Sequence, residues 1–237
     1  MSLEEASLYK LPFEYVKTYV KPERDKNNRQ ARKEKWWQYG EKRPAMRKAL
    51  EGLSFYFALP KVTKYIFFQS INTTILPCEA NMVVASEDYY ILGVLNSKFH
   101  RDWTEVQCSS LGLTFRYTNT TCFETFPFLW RDTTTPLSLA SPPAPLLKER
   151  GVIMDQVANI MKELDEFRLQ MMKERNYGIT KLYNEFFYEP QSKLSKLHKQ
   201  LDEAVCKVYE WKYEAEKNYN KELFDLNNEI YEMEGRG

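Results

Sequence analysis

Glycine, histidine and cysteine are all scarce in this chain of 237 residues. Its eight glycines stand far apart, at 40, 52, 93, 112, 151, 178, 235 and 237, so no glycine-rich phosphate loop or dinucleotide fingerprint is assembled. The two histidines, His100 and His198, and the four cysteines, Cys78, Cys108, Cys122 and Cys206, show neither C-x-x-C nor H-x-x-x-H spacing. That excludes the usual zinc motifs, and no metal is expected. The cysteines are expected to be reduced thiols, buried as small apolar side chains. Long apolar runs are missing too: none reaches the 18 or so residues of a membrane span, and the amino terminus MSLEEASLYK has no signal-peptide stretch. No membrane contact is expected, and the cytoplasm is the expected location.

What remains is a composition suited to folding. Hydrophobic residues make up 43% of the chain and aromatics 15%, enough to bury a core, while a charged fraction of 28% suits a soluble surface. The net charge of +1 hides an asymmetry. Residues 1–60 carry 13 Lys/Arg against 8 Asp/Glu, residues 61–150 carry 8 against 8, and residues 151–237 carry 13 against 17. The basic excess is densest over residues 21–48, with eleven basic and four acidic side chains around Trp36 and Trp37. Such a mixture suits a phosphate backbone, because Lys and Arg displace condensed counterions while aromatics pack on sugar or base. It equally suits a solvated surface.

Pattern then divides the chain. Pro44 opens a helix with Met46, Ala49, Leu50 and Leu53 at helical spacing, broken at Gly52. Three β-like runs follow, Ser54–Leu59, Thr63–Gln69 and Met82–Ser86. Tyr90–Trp103 predicts one helix with Ile91, Val94, Leu95 and Phe99 on a face, and Leu113–Tyr117 another strand. Residues 131–150 hold four prolines and no periodicity, which predicts a linker or insertion. Beyond Gly151 two apolar stripes (Ile153, Val157, Ile160, Met161 and Leu164, then Leu194, Leu197, Leu201, Val205 and Val208) predict three or four helices, with breaks at Tyr177-Gly178 and Pro190. The expected fold class is α+β, a mixed α/β domain followed by a mostly α-helical carboxy-terminal bundle. The expected division is a basic lead-in at 1–33, a mixed domain at 34–130, the linker at 131–150 and the helical domain at 151–237.

Several phrases are more specific than periodicity. The series RPAMRKALEGLSFYFALP, ASEDYYILGVLNSKFHRDW and FRYTNTTCFETFPF resembles the target-recognition domain of the MmeI-like restriction-modification enzymes. YGITKLYNEF and LSKLHKQLDEAVCKVYEWKY resemble the helical carboxy-terminal domain of the same family, and the resemblance covers about residues 34–225. In that family an adenine methyltransferase, and usually an endonuclease, share one chain with the DNA reader. The catalytic half of the resemblance is absent. The Asn/Asp-Pro-Pro-Tyr loop of such methyltransferases has no counterpart, since Pro142-Pro143 sits in Ser-Pro-Pro-Ala, and no Asp/Glu-x-Lys nuclease spacing stands out. The resemblance therefore implies a DNA-reading part without catalytic residues. Double-stranded DNA and the methyltransferase domain of the same parent protein are the implied partners. No cofactor is expected in this chain; S-adenosylmethionine is expected for the parent.

Individual residues are open to two readings. Ser86-Glu87-Asp88 presents acids that accept hydrogen bonds from cytosine in the major groove, or else a cap for the following helix. His100 and His198 lack a nucleophilic or carboxylate partner in sequence, so structural hydrogen bonds are expected of both. The aromatics of residues 115–128 suit core packing or base stacking. Arg116 suits phosphate, guanine or an aromatic neighbour. The resemblance implies base contacts just before the Phe115-Arg116-Tyr117 element, at Gly112–Thr114, and the loops expected to face the groove are Gly112–Thr118 and Cys78–Asn81. The candidate DNA contacts are thus Arg29, Arg32, Lys33, Lys35, Arg43, Arg47 and Lys48 for phosphates, with Thr114 and Arg116 toward bases. A protein-interaction scaffold built on the acidic helices and a self-contained enzyme of unrecognised type are the alternative functions.

Overall fold

The computed structural model describes residues 1–40, 43–130 and 144–233, and divides the chain into two compact units, Met1–Glu51 and Gly52–Gly237. The first unit is helical. Helix α1 (Leu3–Ser7) is closed by a capping box, in which Ser2 accepts from the Glu5 amide and the Glu5 carboxylate accepts from the Ser2 amide. Helices α2 (Lys10–Tyr15) and α3 (Lys21–Asp25) are joined through a π-type turn at Val16–Val20. Pro22, which lacks an amide proton and crowds the preceding turn, accounts for the widened ladder there. Helices α4 (Gln30–Glu34) and α5 (Pro44–Ala49) complete the unit, α5 starting at the proline as its sequence predicts. Among the described residues of this unit only Ala6 is buried.

The second unit is built on strand β1 (Phe55–Pro60), whose Tyr56, Phe57 and Leu59 are buried almost completely. Strands β3 (Gln69–Asn72) and β4 (Asn81–Val84) flank it antiparallel, with Phe57 opposite Ser70 on one side and Val84 on the other. After Pro60 the chain passes through Lys61 into β2 (Val62–Thr63), which belongs to a second sheet of order β2-β6-β5, with β5 at Ser109–Leu111 and β6 at Thr114–Arg116. The expected strand at 63–69 is therefore not continuous. Its middle, Ile66, Phe67 and Phe68, leaves the ladder to bury three large side chains in the core.

The helix expected at Tyr90–Trp103 is two helices, α6 (Tyr89–Asn96) and α7 (Lys98–Gln107). Ser97 separates them, extended in backbone, with its hydroxyl capping the second helix. Four further helices follow: α8 (Ala144–Arg175), α9 (Ile179–Tyr188), α10 (Lys193–Val208) and α11 (Asn220–Met233). The linker expected at 131–150 lies only partly within the described residues. Residues 131–143 lie outside the described residues, and from Ala144 onward the chain is helix, with Pro145 in a first turn that tolerates it.

The four-part division also differs from the compact units. The long helices form no separate body, because α8 lies along α6 and α10, and Met154, Val157, Met161 and Leu164 share one core with Phe57, Leu92 and Phe99. The apolar stripe of α8, which matches its sequence expectation, is satisfied by the mixed part of the fold rather than by a bundle alone.

Gly93 makes the α6–α8 approach possible. A Cβ there meets Val157 Cγ1 at 2.6 Å and Leu201 Cδ1 at 3.3 Å. Gly93→Ala is expected to lower stability by about 1–3 kcal/mol, although alanine is by itself the better helix former by roughly 1 kcal/mol. Urea unfolding measures it, and adding Val157→Ala should recover part of the loss.

Candidate nucleic-acid interface

The seven basic residues expected on phosphates all lie in the first unit. Arg29, Lys35, Arg43, Arg47 and Lys48 are exposed, and Arg32 and Lys33 half-buried. Helices α4 and α5 carry Arg32, Lys33, Arg47 and Lys48 near their carboxy-terminal ends, where cations also complement the helix dipole. Within the same unit Lys21 is paired with Asp25 at 2.7 Å, Lys17 with Glu14 at 3.6 Å and Lys26 with Glu23 at 3.8 Å, each one turn away.

The two tryptophans are placed otherwise than a base-stacking role requires. Trp36 packs against Phe13 with ring centroids 5.4 Å apart, and Trp37 lines an apolar recess with Met1, Ala6, Tyr9, Pro12, Phe13 and Val16. Both are half-buried against the apolar side chains of their own unit.

Thr114 and Arg116 lie in the second unit, two residues apart on β6 and hence on one face of the strand. Arg116 stands opposite Ser109 on one neighbour and Val62 on the other, and it is exposed. Phe115 alternates to the other face and packs on the core. The Gly112–Leu113 turn closes the β5–β6 hairpin, with Gly112 at φ 62°, a conformation that favours glycine in two-residue turns. Leu113 is 85% exposed at the tip.

This hairpin is anchored rather than loose. Tyr117 is buried and ends it, so it belongs to the support and not to the reading loop that the sequence suggests. Its amide donates to the Lys61 carbonyl at 2.8 Å. The Tyr117 hydroxyl meets His100 Nε2 at 3.1 Å, while His100 Nδ1 lies 3.0 Å from the Leu95 carbonyl. A carbonyl only accepts, so Nδ1 carries the proton and Nε2 accepts from the tyrosine. Burial holds the His100 pKa down to about 3, keeping the ring in this neutral form. The expected structural hydrogen bond of His100 is thus present, and it positions the strand that carries Arg116.

Lys61 also connects the second candidate loop. Its amide donates to the Ala80 carbonyl at 2.7 Å, so the turn at Cys78–Asn81 and the hairpin end both hang on one residue between the two sheets. Sequence reasoning passed over Lys61; its only signal is the proline before it. The acids at 86–88 are structural. Asp88 caps α6 through the Tyr90 amide at 2.8 Å, and Glu87 accepts from the Ser54 amide at 2.6 Å.

A polar cluster in the core was not anticipated either. Arg168, fully buried, donates to Asp165, to the Tyr183 hydroxyl at 3.1 Å and to Asn96 Oδ1 at 3.4 Å, and Ser70 donates to the other Asp165 oxygen. Tyr183 meets His198 Nε2 at 2.8 Å, giving His198 the structural hydrogen bond expected of it. The cluster joins β3 and α6 to α8, α9 and α10.

Among the described residues no group of three or more His, Cys, Asp and Glu is placed to hold a metal ion, and no helix is long and apolar enough to cross a membrane. Residues 13–129 match the family described as "MmeI, target recognition domain". The fold is similar to a solved structure of the Type IIL restriction-modification enzyme MmeI in complex with DNA, with a TM-score of 0.62 and 16% identity over 98% of this chain. The chain spans 28% of the length of that protein. No curated protein matches the chain.

Proposed function

We propose that this chain, whose residues 13–129 match the MmeI target recognition domain, is the DNA-reading part of a larger adenine-N6 DNA methyltransferase of the restriction-modification type. Its partner is duplex DNA, bound before the methyltransferase domain of the same parent protein flips the target adenine out of the stack. S-adenosylmethionine serves that domain, and the reading assigns no cofactor and no catalytic residue to this chain. The cytoplasm, where such DNA is met, is its location.

One observation carries the reading: Thr114 and Arg116 stand side by side on a short strand whose opposite face is packed into the core and whose end is held by Tyr117 and His100. Base recognition needs side chains fixed to within a fraction of an ångström, which an anchored strand supplies and a free loop does not. An arginine there offers two parallel donors to guanine O6 and N7, and a threonine offers its hydroxyl to a base edge or its methyl to thymine. The exposed cations of the first unit, Arg29, Lys35, Arg43, Arg47 and Lys48 with the half-buried Arg32 and Lys33, then serve phosphates, which set affinity but carry no sequence information.

The test separates the two kinds of contact. In equilibrium titrations against duplexes differing at single base pairs, Arg116→Ala is expected to cost about 1–3 kcal/mol at one position and to relax preference there. Lys35→Ala and Lys48→Ala are expected to weaken all duplexes alike and to reduce the salt slope by about 1 each. Unchanged binding by all three variants would overturn the assignment of both surfaces.

A further inference from the structure

Cys108 ends α7 immediately before β5, and Cys122 lies in the π-type turn Asn119–Phe123 just after β6. The two cysteines therefore flank the whole β5–β6 hairpin, and their sulfurs are 3.0 Å apart. Both are free thiols. Cys122 is fully buried, while Cys108 is half-buried and reachable from solvent. Cys78, by contrast, is a lone exposed thiol, and Cys206 is buried with its proton directed to the Trp211 carbonyl.

We propose that Cys108 and Cys122 are an oxidation-sensitive dithiol that closes into an intramolecular disulfide on exposure to hydrogen peroxide or a related hydroperoxide. A disulfide bond is about 2.05 Å long, so closure asks the sulfurs to approach by roughly 1 Å. The surroundings favour a thiolate in this pair. One thiol of the pair donates to the other across 3.0 Å, and the Thr121 and Thr118 hydroxyls lie 3.6 and 3.9 Å from the Cys122 sulfur. Those contacts lower the Cys122 pKa to about 6, the Cys108 hydrogen bond contributing most.

In the first step a thiolate sulfur attacks one peroxide oxygen, the O–O bond breaks, hydroxide leaves and a sulfenic acid forms. In the second the other thiol loses its proton and attacks that sulfur, the S–O bond breaks and water leaves. Two thiols are oxidised, one peroxide is reduced to two waters, and a reducing dithiol reverses the link. The closed loop of Cys108–Cys122 contains both hairpin strands, so oxidation staples the base of the element bearing Thr114 and Arg116. The disulfide stands or falls without the DNA-reading proposal; only its bearing on recognition rests on that proposal.

The experiment uses the full chain with Cys78→Ser, which removes the most exposed thiol and with it a competing site of oxidation. After treatment with hydrogen peroxide and alkylation, peptide mapping by mass spectrometry is expected to find a Cys108–Cys122 peptide lighter by two hydrogens than its reduced parts, restored by dithiothreitol. Amide hydrogen exchange over residues 109–116 is expected to slow in the oxidised protein. Sulfinic or sulfonic acid at either cysteine without the linked peptide, or no reaction at peroxide levels that oxidise free cysteine, overturns the proposal. Loss of duplex discrimination by Arg116→Ala has no bearing on that outcome, and a linked peptide does not rescue the DNA reading if the titrations fail.

Discussion

Arg168→Met is expected to destabilise the protein by about 3–5 kcal/mol, the cost typical of leaving one partner of a buried ion pair uncompensated. Asp165 is the partner stranded. It is almost completely buried, accepts from Arg168 on one oxygen and from Ser70 on the other, and without the guanidinium it must ionise alone in the core or take up a proton. Tyr183 and Asn96 lose a donor at the same time. The loss should be smaller when the charge is removed on both sides, because a neutral pair of similar volume leaves no buried ion behind. Urea unfolding of Arg168→Met, Asp165→Asn and the double variant measures the coupling. A double variant as unstable as the two single losses added together would mean that the pair contributes no interaction of its own.

Stability is also expected to fall between pH 7 and pH 5, His100 alone contributing about 2 kcal/mol to the loss. Burial holds the pKa of His100 down to about 3 and that of His198 well below its ordinary value. Both folded values lie under the unfolded value of about 6.5, so the contribution of each histidine is complete above that pH and is lost as acid protonates the unfolded chain first. His100 accounts for about 2 kcal/mol at pH 5, and His198 acts in the same direction. Asp202 acts in the opposite direction. Burial raises its pKa to about 6, against the attraction of Arg101, so the folded protein takes up a proton there before the unfolded chain does and regains about 1 kcal/mol. Unfolding at the two pH values checks the sum. His100→Gln, which keeps a donor for the Leu95 carbonyl and an acceptor for the Tyr117 hydroxyl, should make the dependence shallower by about one histidine's share. Stability that stays level down to pH 5 would falsify the neutral, buried assignment of both rings.

Periodicity carried much of this protein. The helix opened by Pro44, the stripes of α8 and α10 and the strand through Phe57 were all legible, because a residue's spacing along the chain determines which face it shares. The phrase resembling the target-recognition domain was legible for a different reason: a local run of residue types survives where overall identity is low. Trp36 and Trp37 show where local reading stops. Aromatics among cations look alike in sequence whether they face solvent or one another, and only the contact with Phe13 decides.

The same limit explains the rest. Nothing along the chain brings Ser70 to Asp165 or Tyr183 to His198, and nothing sets Cys122 against Cys108 with a hairpin between them. Gly93 looks like a weak point in a helix until Val157 stands 2.6 Å from its missing side chain. Residue types and their spacing determined which elements form and which family's chemistry to expect. Burial, proton placement, the close approach of α6 to α8 and the anchoring of Arg116 were decided only by tertiary structure, because each is a relation between atoms far apart in sequence that packing alone brings within a few ångströms.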